Sequence, residues 1–206
     1  MANRLDSDLH GNAPDASPIA LLIIDVINDL EFPGGKQMLA RATRMARCIA
    51  TLKARAESAR VPTIYVNDNF GRWRSDFRRI VNHCLDDNVL GKPVVEQVLP
   101  DENDYFVLKP KHSGFYNTTL DLLLEHLQAK TLVITGLATD VCVLFTAADA
   151  YMRDFRVIIP RDCVTALTPA VHRAALDQMR TTIKAEVVDS RRIDFTKLSK
   201  RRKRGG

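Results

Sequence analysis

Six short apolar runs, spaced along the chain, constrain the fold more than any other feature. Stretches with the apolar spacing of helices separate them, the longest at residues 38–60. Runs without polar alternation are typical of strands that are covered on both faces, and strands that alternate with helices form parallel sheets. The sequence therefore predicts an α/β fold, a three-layer α/β/α arrangement around a doubly wound, mainly parallel, six-stranded sheet. The predicted strands are residues 19–25, 62–67, 105–109, 131–135, 156–160 and 185–190.

The chain of 206 residues suits a single domain with a sizeable core. We expect a polar N-terminal extension at residues 1–17, a folded domain at residues 18–190 and a basic C-terminal tail at residues 191–206. No apolar run is long enough to span a membrane, and the N-terminus lacks the apolar core of a signal peptide. The four cysteines are scattered, without a CxxC pair. These features predict a cytoplasmic protein without a membrane partner.

The formal net charge of +5 is concentrated in the tail. Residues 191–206 contain eight Lys or Arg and one Asp, which leaves 22 basic and 24 acidic residues in the rest of the chain. A slightly acidic body argues against nucleic acid as a partner. A basic terminus is more often a solvated end than a binding site, and we expect that here.

Three ionisable residues fall at the predicted carboxyl ends of strands, where ligands bind in open α/β sheets. Asp25 ends the first run, Lys109 ends the third, and Cys142 follows the fourth. Cys142 is expected near the first turn of a helix, where unpaired N–H groups and the helix dipole favour a thiolate. Each residue alone also fits a structural role: a capping Asp, a solvated Lys or a packed Cys. Together they indicate a catalytic site.

Three sequence blocks resemble one known family. ALLIIDVINDL, LKPKHSGFYNTTLDLLL and ITGLATDVCVLFTAADA, in this order, are similar to the isochorismatase-like cysteine hydrolases. These include nicotinamidases, N-carbamoylsarcosine amidases and ureidoacrylate amidases. The resemblance runs from about residue 19 to residue 190 and implies that Asp25, Lys109 and Cys142 form the catalytic triad. Lys109 matches rather than Lys111, because the family lysine lies four residues before the Ser of an S-x-F motif, here Ser113.

The resemblance also implies an oxyanion hole and a mechanism. The Leu137–Ala138 peptide bond is expected to be cis, and the backbone N–H groups of Ala138 and Cys142 would bind the developing oxyanion. Asp25 would accept the thiol proton and return it to the leaving nitrogen. Lys109 would favour the thiolate. Cys142 would attack a carbonyl and form a thioester-type intermediate, which water then hydrolyses.

The chain departs from nicotinamidases in the loop after the second strand. Nicotinamidases carry a metal site there, with an Asp-x-His pair and further histidines, whereas this chain has VNDNFGRWRSDF without a histidine. Asp68 is the one match, and a single carboxylate does not hold a divalent ion. Ile27 also stands where nicotinamidases have a polar Gln. We therefore predict a metal-independent enzyme without a cofactor and a substrate other than nicotinamide.

The substrate pocket is predicted from residues beside these strand ends. Asn69, Arg72 and Trp73 follow the second strand, and Leu30 and Phe32 are expected to form the opposite wall. A Trp beside an Arg suits a small planar substrate with a polar or anionic end. The alternative is that Trp73 packs under its loop or in a subunit interface.

The sequence thus predicts a cysteine hydrolase that cleaves a C–N bond of a small amide, carbamoyl or ureido compound. Two alternatives stay open: an isochorismatase-type vinyl-ether hydrolase, whose family members lack the cysteine, and a non-catalytic binding protein with the same fold. The resemblance also implies a homo-oligomer, a dimer or a tetramer. The helix at residues 38–60 has apolar positions that could serve such an interface.

Overall fold

The computed structural model describes residues 16–69 and 76–200. The predicted N-terminal extension up to residue 15, the tail beyond residue 200, and Arg72 and Trp73 lie outside the described residues. The strands are β1 (Ile19–Ile24), β2 (Thr63–Asp68), β3 (Tyr105–Lys109), β4 (Thr131–Leu137), β5 (Arg156–Pro160), β6 (Val164–Thr165) and β7 (Glu186–Val188). The helices are α1 (Gly35–Ser58), α2 (Phe77–Asp86), α3 (Lys92–Val95), α4 (Leu120–His126), α5 (Leu144–Met152), α6 (Pro169–Thr182) and α7 (Phe195–Lys200).

The sheet has the order β3-β2-β1-β4-β5-β7, with β6 paired to β4. Each of these pairs is parallel. The predicted doubly wound parallel sheet is therefore confirmed, and its six predicted strands are joined by β6, which has only two residues and no periodic pattern to reveal it. The chain winds outward from β1 in one direction and returns to β4 on its other side. A crevice at the carboxyl ends of β1 and β4 is the usual ligand site of such a sheet.

Alternate residues of β1 enter two separate cores, which makes the three layers. Leu21 and Ile23 pack with α1 on one face. Leu22 and Ile24 pack with the layer of α4, α5 and α6 on the other face. The apolar face of α1 packs into the first core, and its buried residues include Met38, Met45, Ile49 and Leu52. The larger apolar side chains of this helix thus serve the core, and both the interface on this helix and the homo-oligomer stay predictions.

Helix ends follow local chemistry. The Thr168 hydroxyl accepts a hydrogen bond from the Val171 N–H at 3.2 Å and so caps the N-terminus of α6. Cys142, expected near the first turn of a helix, lies in a π-helical turn, Thr139–Val143, that precedes α5. Such wide turns often occur at functional sites. Among the described residues, no helix is long and apolar enough to cross a membrane.

The folded part extends past the predicted boundary at Ser190. Ile193 and Phe195 are both 3% exposed and belong to the core on the α1 face. The Arg55 guanidinium donates hydrogen bonds to the carbonyls of Ser190 (3.0 Å) and Ile193. The basic composition of this segment concealed two apolar anchors, which place α7 against the body.

Candidate active site

Asp25, Lys109 and Cys142 meet at the carboxyl edge of the sheet. The Lys109 ammonium lies 2.8 Å from Asp25 Oδ2 and 3.5 Å from Cys142 Sγ. The thiol is also in hydrogen-bonding contact with the Asp25 carboxylate. Lys109 is fully buried and Asp25 is 5% exposed. Three residues that are far apart in the sequence therefore form one compact, largely desolvated cluster.

The Asp25 backbone adopts a left-handed conformation, with φ of +50°. Asp tolerates this region better than most residues, and such strain persists only where the surroundings fix it. The Asp25 N–H donates to the Val66 carbonyl at 3.0 Å. Asp25 Oδ1 accepts a hydrogen bond from the Asp68 N–H at 2.7 Å. One carboxylate oxygen is thus held by the backbone of β2, while the other faces Lys109.

The segment after Lys109 is anchored to the helix that follows Cys142. The Gly114 N–H donates to the Thr146 hydroxyl on α5 at 3.0 Å. A Cβ at Gly114 would lie 2.9 Å from Val66 Cγ1, so the close approach favours glycine. Lys111 is exposed, and it is Lys109 that contacts Asp25 and Cys142. Of the two lysines in this sequence block, Lys109 is therefore the one that belongs to the cluster.

Cys142 reaches the cluster because β4 ends very close to β1. Gly136 has φ of +113°, and a Cβ there would lie 2.0 Å from the Ile24 carbonyl oxygen. Only glycine permits this approach. The Leu137–Ala138 peptide bond that follows is cis. Cys142 lies in the π-helical turn, and the first N–H groups of a helix lack an intrahelical partner.

The protonation states differ from the expectation of a thiolate in the free protein. Burial, and then the neighbouring Asp25 carboxylate, raise the pKa of the Cys142 thiol to about 12, while Lys109 opposes them. Burial also raises the pKa of Asp25, against the attraction of Lys109. Burial alone would lower the pKa of Lys109, but Asp25 and Cys142 outweigh it and raise that pKa. At neutral pH the resting cluster therefore holds a neutral thiol beside the ammonium of Lys109.

The predicted pocket residues divide into four groups. Asn69 is buried beside the cluster, and its N–H donates to the Lys109 carbonyl at 3.1 Å. Phe32 is 38% exposed in the loop after β1. Leu30 is buried in the core beside α1, because Asn28 Oδ1 accepts its N–H in a tight turn that directs it inward, so it is not a wall of an open pocket. Arg72 and Trp73 lie outside the described residues.

Two features of the site were not predicted as parts of it. Asp68 Oδ2 lies 3.5 Å from the Lys109 ammonium, so this carboxylate belongs to the cluster and not only to the following loop. Thr139, at the start of the π-helical turn, lies 3.0 Å from His172 Nδ1 through its hydroxyl oxygen. The two residues are 33 positions apart, and no sequence pattern joins them.

The described residues do not fit the metal site of nicotinamidases. Asp68 is the carboxylate that β2 offers to such a site, and it faces the ammonium of Lys109. A cation beside a carboxylate disfavours a second cation there. Across residues 16–69 and 76–200, no group of three or more His, Cys, Asp or Glu side chains could hold a metal ion. A divalent site normally needs at least that many ligands.

Comparison with known proteins agrees with this geometry. A family model described as the isochorismatase domain matches residues 19–192. An uncharacterized isochorismatase family protein, YaaI of Bacillus subtilis, is 39% identical over 174 residues, covering 84% of this chain and 95% of its own. The ureidoacrylate amidohydrolase RutB of Methylobacterium radiotolerans is 30% identical, covering 82% of this chain and 76% of its own.

Solved structures give the same result. N-carbamoylsarcosine amidase from Thermoplasma acidophilum superposes with a TM-score of 0.67 at 27% identity, covering 85% of this chain and 98% of its own. The nicotinamidase PncA of Bacillus subtilis gives a TM-score of 0.64 at 27% identity, covering 84% of this chain and 99% of its own. The fold and site define a hydrolase with a parallel central sheet between two layers of helices. The chain belongs to the isochorismatase family.

Proposed function

We propose that this protein is a cysteine amidohydrolase that cleaves a C–N bond of a small amide, carbamoyl or ureido compound. The observation that carries the proposal is the buried cluster in which Lys109 lies 2.8 Å from Asp25 and 3.5 Å from the Cys142 sulfur. A nucleophile, a proton acceptor and a fixed positive charge are the groups that covalent acyl transfer requires. The family relatives named as amidohydrolases support hydrolysis of this bond type.

In the first step, the neutral thiol is activated as it reacts. Asp25 accepts the thiol proton while Cys142 Sγ forms a bond to the substrate carbonyl carbon, and the carbonyl π electrons move to oxygen. Because the thiol pKa is raised, this transfer occurs on attack rather than beforehand. The N–H groups of Ala138 and Cys142 would stabilise the oxyanion, each by about 3 kcal/mol.

In the second step, the proton on Asp25 passes to the leaving nitrogen as the C–N bond breaks and a thioester-type intermediate remains. Water then attacks the carbonyl carbon of this intermediate while Asp25 accepts a proton from the water. The C–S bond breaks, the acid product leaves, and Asp25 returns the proton to sulfur, which restores the thiol. Lys109 stays protonated throughout, because its raised pKa keeps the ammonium between Asp25 and Cys142. Its charge stabilises the sulfur whenever the thiolate forms.

The proposed substrate class is supported by the relatives and by the departures of this chain from nicotinamidases. Ureidoacrylate amidohydrolase and N-carbamoylsarcosine amidase act on the ureido and carbamoyl compounds in their names. The misfit to a nicotinamidase metal centre supports a metal-independent reaction on such a compound. The charge stabilisation would then come from Lys109 and from backbone donors.

The test is a panel of small amides, carbamoyl and ureido compounds, assayed for released ammonia or amine with and without EDTA. We expect turnover of at least one compound, unchanged by chelation and absent in Cys142→Ala. Cys48→Ala, another partly buried cysteine, is the matched control and should retain activity. Release of pyruvate from a vinyl ether without ammonia from any compound would replace the proposal by isochorismatase chemistry. Loss of activity with EDTA, restored by a divalent metal, would contradict the metal-independent mechanism.

A further inference from the structure

The turn that carries Cys142 is tied to a helix that takes no part in the triad. Thr139 is fully buried, and its hydroxyl oxygen lies 3.0 Å from Nδ1 of His172 in the first half of α6. A buried hydroxyl requires a hydrogen-bond partner, and His172 supplies it. The contact therefore fixes Thr139 to a side chain 33 residues away.

The position of Thr139 gives this contact a role beyond packing. Thr139 lies between Ala138 and Cys142, whose backbone N–H groups are the oxyanion donors of the proposed function. Any rotation of the backbone at Thr139 would change the angle between these two donors. Oxyanion stabilisation depends on donors that are held in place before the charge develops.

The partner helix is itself firmly placed. Thr168 caps the N-terminus of α6 through the Val171 N–H, and the His172 N–H donates to the Thr168 carbonyl at 3.0 Å. Burial, and then Arg173, lower the pKa of His172, so its ring is neutral at neutral pH. His172 lines a cavity of about 260 Å³ together with residues of α1, and its Nδ1 contact joins the wall of this cavity to Thr139 in the turn that carries Cys142.

We infer that His172 is a positioning residue: through the Thr139 hydroxyl, it holds the segment between the Ala138 and Cys142 N–H groups in the geometry that binds an oxyanion. The inference rests on the proposed function, whose oxyanion hole it deepens. His172 does not touch the thiol, so it acts on the stabilisation of the charged intermediate and not on the reactivity of sulfur.

A small aldehyde separates these two effects without any amide substrate. The Cys142 thiol adds to the aldehyde carbonyl: the S–C bond forms, the C=O π bond opens, and the thiol proton ends on oxygen. The resulting hemithioacetal places its oxygen where an oxyanion would lie. Iodoacetamide instead alkylates sulfur with loss of iodide and forms no oxyanion. The concentration of acetaldehyde or benzaldehyde that halves the alkylation rate therefore measures how well the oxyanion site binds the hemithioacetal oxygen. The alkylation rate without aldehyde measures the reactivity of the thiol.

We expect Thr139→Val and His172→Leu each to weaken aldehyde protection by about tenfold or more, since small displacements at a reacting centre have effects up to about a hundredfold. The uninhibited alkylation rate should stay within about twofold. On any amide found in the panel, kcat should fall in parallel while KM changes little. Because both residues act through one hydrogen bond, the double variant should show about the same aldehyde protection as the single variant that is protected less.

Two substitutions of His172 test the geometry rather than the mere loss of a side chain. His172→Asn places an amide near the position of Nδ1 and should retain aldehyde protection within about threefold, whereas His172→Gln places it one methylene further and should not. This pair also carries the test if the apolar variants fail to fold. Thr181→Val, an exposed hydroxyl on the same helix, is the matched control and should behave as the wild type.

The inference is wrong if the Gln and Asn variants protect equally, if the single effects multiply in the double variant, or if alkylation slows together with the loss of protection. Failure of the proposed function has a different signature. In that case no amide is hydrolysed by the wild type, while the aldehyde measurements still report whether His172 and Thr139 shape the site.

Discussion

Two lysines in this protein are each held between two aspartates, and only one of them lies beside a nucleophile. Lys109 lies 2.8 Å from Asp25 and 3.5 Å from Asp68. Lys53, on α1, lies 2.7 Å from Asp101 and 2.6 Å from Asp104 in the loop before β3. In both cases burial would lower the lysine pKa, and the carboxylates outweigh it and raise that pKa.

The two clusters differ in location and in what completes them. Lys53 lies outside the carboxyl edge of the sheet, and its ammonium faces the Tyr65 ring at 5.8 Å. Its carboxylates join α1 to the loop before β3. Lys109 faces a thiol at the end of the sheet. A perturbed pKa is therefore not a sufficient mark of a catalytic site, which also needs a reactive group and an accessible edge.

The largest effect is expected from removal of the thiol, the group that the Lys53 cluster lacks. Cys142→Ala should lower turnover of any substrate by at least about a thousandfold, because no other side chain can form the acyl intermediate. The melting temperature should change little, since Cys142 is only partly buried. Steady-state kinetics beside a thermal melt measures both. Retained turnover in this variant would remove the distinction between the two lysine clusters.

Loss of a carboxylate should lower kcat in the Lys109 cluster and stability in the Lys53 cluster. Asp25→Asn should lower kcat by about a hundredfold or more, because an amide cannot accept the thiol proton. Asp104→Asn should leave kcat unchanged and lower the free energy of unfolding by about 1–3 kcal/mol, since it weakens a mostly buried ion pair. Kinetics and urea unfolding on both variants make the comparison. A kinetic defect in Asp104→Asn would make the structural assignment of the Lys53 cluster wrong.

The lysines themselves provide a smaller contrast. Lys109→Ala should raise the pKa of the Cys142 thiol further, because the charge that opposes its elevation is lost. Alkylation by iodoacetamide as a function of pH measures this shift. Lys53→Ala and Lys111→Ala should leave the alkylation profile unchanged. An unchanged profile in Lys109→Ala would contradict the role that we assign to its ammonium.

The smallest effect concerns a third cation between two aspartates. His83, on α2, lies 2.7 Å from Asp87 and 3.3 Å from Asp29, and these carboxylates raise its pKa. The stabilisation is fully present below the unfolded pKa of about 6.5 and is lost as pH rises through the higher folded pKa. Solvent screens this exposed pair, so the effect should be below about 1 kcal/mol. Urea unfolding from pH 5.5 to 8.5 should show it in the wild type and not in His83→Gln.

Much of the fold could be predicted from the sequence, because strands buried on both faces leave continuous apolar runs. The runs at residues 105–109 and 156–160 correspond to β3 and β5 at both ends. The two-residue β6 could not be predicted, because it forms only where Gly136 and Leu137 offer a neighbouring edge. Ile193 and Phe195 were hidden among charges, and their burial depends on a surface that α1 provides.

The candidate site was predictable where the chemistry is local and not where it depends on distant contacts. The positions of Asp25, Lys109 and Cys142 at strand ends follow from the sheet. The protonation of Cys142 does not, because burial and the Asp25 carboxylate outweigh the effect of Lys109 on the thiol pKa only in the assembled site. Leu30 was assigned to the pocket from its place in the loop, whereas the Asn28 turn directs it into the core.

The pairing of β1 with β4 has a consequence for the protein while it is being synthesised. The Thr135 hydroxyl donates to the Leu22 carbonyl across 113 positions of sequence. When β1, α1 and β2 have emerged from the ribosome, one edge of β1 therefore has no neighbouring strand until β4 emerges. Such an unpaired edge is prone to associate with other chains. Cys142 follows β4, so Asp25 and Lys109 emerge before the thiol, and a truncated chain that ends before β4 lacks it and is expected to have no hydrolytic activity.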